Sequence, residues 1–190
     1  MGSSSDIDII VLCLYGSETW TPNKSMWAKV QAFHMRRQRR ILSIKWNDFI
    51  PNVTVATTSD LDSIINIARV RRLGLFGHVA RFVRDVPASY ILSICCAAGD
   101  GYPPDPSWRR SSGCPRTTTW LDHIFSDTGM SLTDAFSLTQ DRLQWRAVAT
   151  AAKATRTWLT DNNIEYDDDD DDDDDETEML AVCGTLLTGR

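Results

Sequence analysis

The chain has 190 residues, 42% of them apolar, which suits one domain plus a tail. Its net charge of −6 is segregated: residues 1–160 carry 19 Lys and Arg against 13 Asp and Glu, a net +6, whereas residues 161–190 carry 1 against 13, a net −12. The apolar run at residues 7–14 is shorter than the roughly 18 residues of a membrane span, and five scattered cysteines indicate no disulfide framework. We therefore expect an intracellular protein that does not bind a membrane.

The first long helix is predicted over residues 21–45, after an apolar stub at residues 1–14 that fits either a buried strand or a helix end. Thr21 would cap the helix, with Pro22 in its first turn. Helical periodicity places Arg37 inside the apolar stripe, where it must snorkel, find an acidic partner or mark a bend. The predicted stripe contains Met26, Trp27, Val30, Phe33, Ile41 and Ile44. Four bases share an adjacent arc of about 100°: Lys29, Arg36, Arg39 and Arg40.

A second helix is predicted from near Ser59, after a connection that begins at Pro51. Arg72 falls within its apolar stripe, and two glycines weaken it by roughly 1 kcal/mol each, which indicates a kink. Those glycines are Gly74 and Gly77. The predicted apolar face contains Leu61, Ile64, Ile65, Ala68, Leu75, Phe76, Val79, Phe82 and Val83. The bases predicted on the opposite face are Arg69, Arg81 and Arg84.

The remaining helices are short and follow a Pro/Gly-rich loop at residues 99–116. They are predicted at residues 117–127, at residues 131–138 with a Ser131 cap, and at residues 140–160. Four bases of the last helix fall within about 80°: Arg142, Arg146, Lys153 and Arg156. Nine consecutive aspartates at residues 167–175 repel one another, so we expect a disordered acidic tail over residues 161–190. The predicted fold is all-α, an irregular bundle of four or five helices over residues 15–160.

Five sequence strings occur in a fixed order along residues 15–150. They are YGSETW at 15–20, FHMRRQRRILSIKW at 33–46, RRLGLFGHVAR at 71–81, GCPR followed by TWLD within 113–122, and DRLQWR at 141–146. As a set they resemble the segment downstream of the polymerase domain in non-LTR (LINE-like) retrotransposon reverse transcriptases. The chain departs from that pattern at Gly74 and Leu75, where the family has Arg-Trp, at Cys114, where it has Arg, and by one extra residue before Trp120.

The resemblance implies a thumb and helical connector, which lie after the catalytic palm and grip the template–primer duplex. The palm's paired, metal-binding aspartates have no recognisable counterpart before these strings. The one Tyr-x-Asp-Asp match, at residues 166–169, is the start of the aspartate run in the expected tail. The resemblance therefore predicts a non-catalytic remnant of an RNA-directed DNA polymerase, located in the nucleus. It would bind an RNA or DNA duplex weakly and without sequence preference, and it would need no metal or cofactor.

The candidate nucleic-acid contacts are basic side chains of the first and last helices and of the Pro/Gly-rich loop. They are Lys29, Arg36, Arg39, Arg40, Arg110, Arg116, Arg142 and Arg146. The other interpretation of the helical bases is a solvated helix face. Four tryptophans are predicted to anchor the core rather than to stack on bases: Trp20, Trp46, Trp120 and Trp145. The alternative function is a protein-interaction module whose acidic tail binds basic partners such as histones.

Overall fold

The computed structural model describes residues 14–83, 85–102 and 118–154, and every regular element within these ranges is helical. The α-helices are α1 (Lys24–Ile41), α2 (Asn52–Ser59), α3 (Ile64–Ala80), α4 (Pro87–Gly99), α5 (Trp120–Thr128), α6 (Leu132–Leu138) and α7 (Arg142–Ala154). Two 3-10 helices occupy Ser17–Thr19 and Trp46–Asp48. The all-α prediction is confirmed, but the described residues form seven α-helices rather than four or five. Residues 1–13, most of the Pro/Gly-rich loop and the acidic tail lie outside the described residues.

The chain divides into two compact units, and the boundary falls inside α3, between Ala68 and Arg69. We call the described residues 14–68 the first unit and those from Arg69 to Ala154 the second unit. Each unit has its own buried apolar cluster.

The first unit is built around α1, which begins at Lys24 and ends at Ile41, inside the predicted bounds of residues 21–45. Asn23 caps it by accepting a hydrogen bond from the Met26 backbone N–H at 2.9 Å, so the predicted Thr21 cap is wrong. The rings of Trp20 and Trp27 lie 6.4 Å apart in the apolar cluster. That cluster contains Leu14, Trp20, Trp27, Val30, Ile64, Ile65 and Ala68.

A buried polar network joins α1 to α2 in the first unit. The side-chain N–H of Gln38 lies 3.2 Å from Nδ1 of His34, and the Ser59 hydroxyl donates to Oε1 of Gln38 at 3.1 Å. His34 is only 1% exposed, and burial lowers its pKa to about 4. The imidazole is therefore neutral at pH 7 in the folded chain.

Because of this pKa, acid should destabilise the first unit through His34. In the unfolded chain the His34 imidazole is protonated below its pKa of about 6.5, whereas in the folded chain it is protonated only below about pH 4. The His34 contribution is therefore fully present above pH 6.5 and lost as pH falls towards 4, by up to about 1.4 kcal/mol per pH unit. Urea midpoints between pH 7.5 and 4.5 should fall more steeply for the wild type than for His34→Gln. Parallel curves would contradict the prediction, since the carboxylates titrate in both proteins.

The second unit surrounds an aromatic cluster of Phe76, Trp120 and Trp145. The ring centroid of Phe76 lies 6.1 Å from that of Trp120 and 5.5 Å from that of Trp145. The indole N–H of Trp145 donates to the Leu73 carbonyl at 2.9 Å. This buried contact fixes α7 against α3. The buried apolar residues of the second unit are Leu73, Phe76, Cys96, Ile124, Leu132, Ala135, Trp145 and Ala152.

Side-chain caps define the short helices of the second unit. Thr119 and Asp122 form a reciprocal capping box at the start of α5. Ser131 caps α6 as predicted, accepting from the Asp134 N–H. Asp100, which follows α4, also accepts hydrogen bonds from the backbone N–H groups of Leu132 (3.1 Å) and Thr133 (2.8 Å).

Two predictions about the second helix are wrong. The helix begins at Ile64 and ends at Ala80, so Leu61, Phe82 and Val83 lie outside it and are exposed. Arg69, predicted opposite the apolar face, is 4% exposed because it bonds to Asp127 on α5. Arg72 is buried as the periodicity predicted, and it bonds to the same carboxylate.

Candidate nucleic-acid interface

Three of the predicted contact residues are exposed on one side of α1. Lys29, Arg36 and Arg40 fall within about 40° of one another at helical spacing, and all three are exposed. We call these three residues the basic strip. Arg36 and Arg40 are one turn apart, about 6 Å along the helix axis. The strip is a short row of cations at the surface of the first unit.

Burial of the remaining surface of α1 explains why the strip is exposed. The buried residues of this helix are Trp27, Val30, Phe33, His34, Met35, Arg37 and Gln38. They cover a little more than half of the directions around the axis, and the basic strip lies outside that arc. Residues 14–68 carry seven Lys and Arg against four Asp and Glu, a net charge of +3. Packing the apolar residues of α1 therefore presents these cations at the surface of a segment, residues 14–68, that has a net positive charge.

Arg39, the fourth base of the predicted arc, is held inside the first unit. It is half-buried, and its Nη2 donates to the Ile50 carbonyl at 2.9 Å and to Oδ1 of Asn52 at 2.7 Å. These bonds fasten the connection between α1 and α2 to the end of α1. Arg39 is therefore not counted in the basic strip, because its guanidinium is used in bonds within the first unit.

Arg37 lies within the apolar stripe, as the periodicity predicted. It is 5% exposed, and its guanidinium carbon lies 5.0 Å from the centroid of the Phe33 ring. This geometry is a cation–π contact between residues one turn apart. The ring contact adds to the three outcomes expected from the sequence, which were an acidic partner, snorkelling or a bend.

The predicted contact residues of the second unit are only partly described. Arg142 and Arg146 are exposed one turn apart on α7. Arg110 and Arg116 of the Pro/Gly-rich loop, and Arg156, lie outside the described residues, as does the side chain of Lys153. Of the contact residues predicted in the second unit, the described and exposed ones are therefore the two arginines on α7.

The described tryptophans are core residues, as predicted. Trp20 is 1% and Trp145 is 4% exposed, and Trp120 is half-buried against Phe76. The Trp46 side chain lies outside the description. Trp20 and Trp145 therefore offer no open face for stacking on a base.

Three of the sequence strings behind the family resemblance meet in the core of the second unit. Phe76 comes from residues 71–81, Trp120 from 119–122 and Trp145 from 141–146, and their rings form the aromatic cluster. Gly77, of the first of these strings, lies directly against the Trp145 indole. The aromatic residues of these three strings therefore hold the helices of the second unit together.

Phe49 is an exposed aromatic residue that the sequence patterns did not single out. Its side chain is 84% exposed, and its backbone φ of +49° lies in the left-handed region. Side chains without a local hydrogen-bonding group rarely adopt this conformation, which costs of order 1–3 kcal/mol. The polar turn residues before Phe49 and Pro51 after it predict a bend, but they do not identify which residue takes the strained conformation.

Comparison with protein-family models, with curated proteins and with solved structures gave no match to this chain. Within the ranges that the structure describes, no helix is long and apolar enough to cross a membrane. In the same ranges, no three or more His, Cys, Asp or Glu side chains are grouped as metal ligands would be.

Proposed function

We propose that this chain is a non-catalytic nucleic-acid-binding module of the thumb and connector type found in non-LTR retrotransposon reverse transcriptases. The observation that supports it best is the basic strip, three cations exposed side by side on α1. The sequence resemblance supports the same class of partner. The proposal is non-catalytic because the resemblance covers only strings that follow the palm, and the Tyr-Asp-Asp-Asp string at residues 166–169 is the start of the aspartate run that lies after them.

Binding at this site acts on the phosphate backbone and is independent of sequence. Arg36 and Arg40 can each place two parallel N–H groups on phosphate oxygens, whereas Lys29 contributes a point charge. Cations that neutralise phosphates release condensed counterions, so the logarithm of the affinity falls linearly with the logarithm of salt concentration. Three contacts correspond to a slope of about −2.7 on B-form DNA. So few contacts make the affinity weak.

The salt dependence gives a direct test of the basic strip. Changing Lys29, Arg36 and Arg40 together to Gln should flatten the salt slope by roughly two to three units. The fold should survive, because these side chains are exposed. The measurement is fluorescence anisotropy of a labelled duplex between 50 and 200 mM KCl.

Two further variants serve as controls for this experiment. Lys24 is an exposed base on the opposite side of α1, so Lys24→Gln should leave the slope within about one unit of the wild type. Arg37→Gln should lower stability more than binding, because its guanidinium is buried over Phe33. An unchanged slope in a folded triple variant would overturn the proposed site.

The alternative, a module whose acidic tail binds basic proteins, is favoured by the nine aspartates at residues 167–175. The two functions respond in opposite ways to replacing those nine residues with Asn in the full chain. Under the alternative, binding to a lysine-rich histone peptide is lost. Under the proposed function, nucleic-acid binding persists and strengthens at low salt, because a polyanion of the same chain no longer competes for the basic strip.

A further inference from the structure

The loop between α1 and α2 holds Phe49 in its exposed conformation from both sides. Before it, the Lys45 backbone N–H donates to Oδ2 of Asp48 at 2.8 Å, and the Asp48 N–H donates to the Lys45 carbonyl at 3.1 Å. After it, the Arg39 guanidinium bonds to the Ile50 carbonyl and to Asn52. The left-handed backbone of Phe49 is therefore imposed by its neighbours rather than by packing of its own ring.

The same hydrogen bonds hold the Phe49 loop near the C-terminal end of α1, where Arg40 lies. Arg39 precedes Arg40 in the chain, and its side chain bonds to Ile50, the residue that follows Phe49. Lys45, in the same loop, is also exposed. An exposed aromatic ring and a row of cations thus occur in one unit, and the Arg39 side chain connects the helix that carries the cations to the loop that carries the ring.

This combination is typical of proteins that bind single-stranded nucleic acids. Cations follow the phosphate backbone, and an aromatic ring stacks on an unpaired base. Stacking tolerates any sequence because every base has a flat π-face. In a duplex those faces are covered by neighbouring base pairs, so a single exposed ring can act only where a base is unstacked.

We propose that Phe49 is a base-stacking residue and that the basic strip together with Phe49 binds single-stranded RNA or DNA. The inference rests on the proposed function and narrows its ligand to a strand with unpaired bases. The strip holds the phosphates, and Phe49 distinguishes a strand that has bases from a bare backbone. Arg39 is a positioning residue, because its guanidinium holds the loop through Ile50 and Asn52.

The test compares two labelled strands of the same charge, a 12-residue thymidine oligonucleotide and a 12-residue abasic oligonucleotide. The full-length wild type should bind the thymidine strand roughly 5- to 150-fold more tightly, the range expected for one stacked base. Phe49→Gly should bring that ratio to about one and leave the salt slope unchanged. Phe49→Tyr should keep the preference, because it keeps an aromatic face.

Stability measurements separate stacking from a structural role of Phe49. Glycine adopts a positive φ without strain, so Phe49→Gly should be as stable as the wild type or more stable, although it loses the base preference. The control is Tyr15→Ala, which removes another exposed aromatic side chain of the first unit and should keep the preference.

The outcomes distinguish this inference from the proposed function. Equal binding of both strands by the wild type, or a preference that survives in Phe49→Gly, overturns the stacking role. The proposed role of the basic strip is then tested separately, by the change in salt slope of the Lys29, Arg36 and Arg40 triple variant. Failure of the wild type to bind either strand or a duplex overturns both proposals.

Discussion

Replacing Gly77 with alanine should destabilise the second unit by about 2–4 kcal/mol, whereas the same change at Gly74 should stabilise it slightly. A Cβ atom at Gly77 would overlap Nε1 of Trp145 and lie 2.5 Å from Cδ1 of the same indole. Trp145 is buried and bonds to the Leu73 carbonyl, so it cannot move without breaking that bond. Overpacking costs about 1–3 kcal/mol, and a lost buried hydrogen bond costs a similar amount. The gain of about 1 kcal/mol in helix propensity offsets part of this loss.

Gly74 is the matched control, one turn away on the same helix. A Cβ there would meet no atom within 4 Å. Only the propensity term remains, so Gly74→Ala should raise the free energy of unfolding by about 0.5–1 kcal/mol. Urea denaturation followed by circular dichroism measures both changes. Similar changes in stability at the two glycines would show that the Trp145 indole does not require the absence of a side chain at Gly77.

The two glycines illustrate what the sequence could and could not predict. Their local patterns are alike, and both were interpreted as weak points in a helix that the structure shows to be continuous from Ile64 to Ala80. The contact with Trp145 involves a residue 68 positions later, which no local pattern contains. Helical periodicity did predict the existence of α1, α3 and α7, because burial of one face leaves a repeating signal along the chain.

Helix α2 was missed because its composition resembles a connection or a strand. Residues 52–59 are mostly β-branched or small polar residues, which have modest helix propensity. Tertiary contacts decide the outcome, since Val55 is fully buried and Ser59 bonds to Gln38 of α1. Short helices of this kind gain more from packing than from propensity.

The candidate site was predictable to the extent that it follows from periodicity. The exposure of Lys29, Arg36 and Arg40 follows from the apolar stripe beside them. The structural role of Arg39 does not, because its partners lie 11 and 13 residues away in a loop. Phe49 was not predicted because a positive φ in a non-glycine residue leaves no compositional signal.

The buried ion pairs of the second unit show the same limitation and lead to a large expected effect. Asp127 accepts a hydrogen bond from Nε of Arg69 at 3.0 Å and another from Nε of Arg72 at 3.1 Å. All three side chains are less than 10% exposed. Arg69 also donates to the Ala152 carbonyl at 3.0 Å, which connects this pair to α7. Helical periodicity predicted Arg69 on the solvent side. It contains no information about Asp127, the partner that buries Arg69, because Asp127 is 58 residues away in the chain.

Asp127→Asn should lower the stability of the second unit by about 3–5 kcal/mol, because it leaves two buried guanidinium groups without their shared counter-charge. Burial already lowers the pKa of Arg72, and the attraction of Asp127 opposes that shift. The two arginines also repel one another once the carboxylate is gone. The measurement is the urea midpoint, with Asp85→Asn, a change at an exposed carboxylate, as the control expected within about 0.5 kcal/mol of the wild type.

A triple variant separates the loss of a counter-charge from the loss of packing. Replacing Arg69 and Arg72 with Met and Asp127 with Leu removes the charges together while keeping similar volume. Apolar replacement of a whole buried ion cluster is often neutral or stabilising, so this variant should be more stable than Asp127→Asn by several kcal/mol. The lost bond from Arg69 to Ala152 should cost about 1 kcal/mol of that recovery. If the triple variant is as unstable as Asp127→Asn, uncompensated charge is not the cause, and the shape of the arginine and aspartate side chains is what the second unit requires.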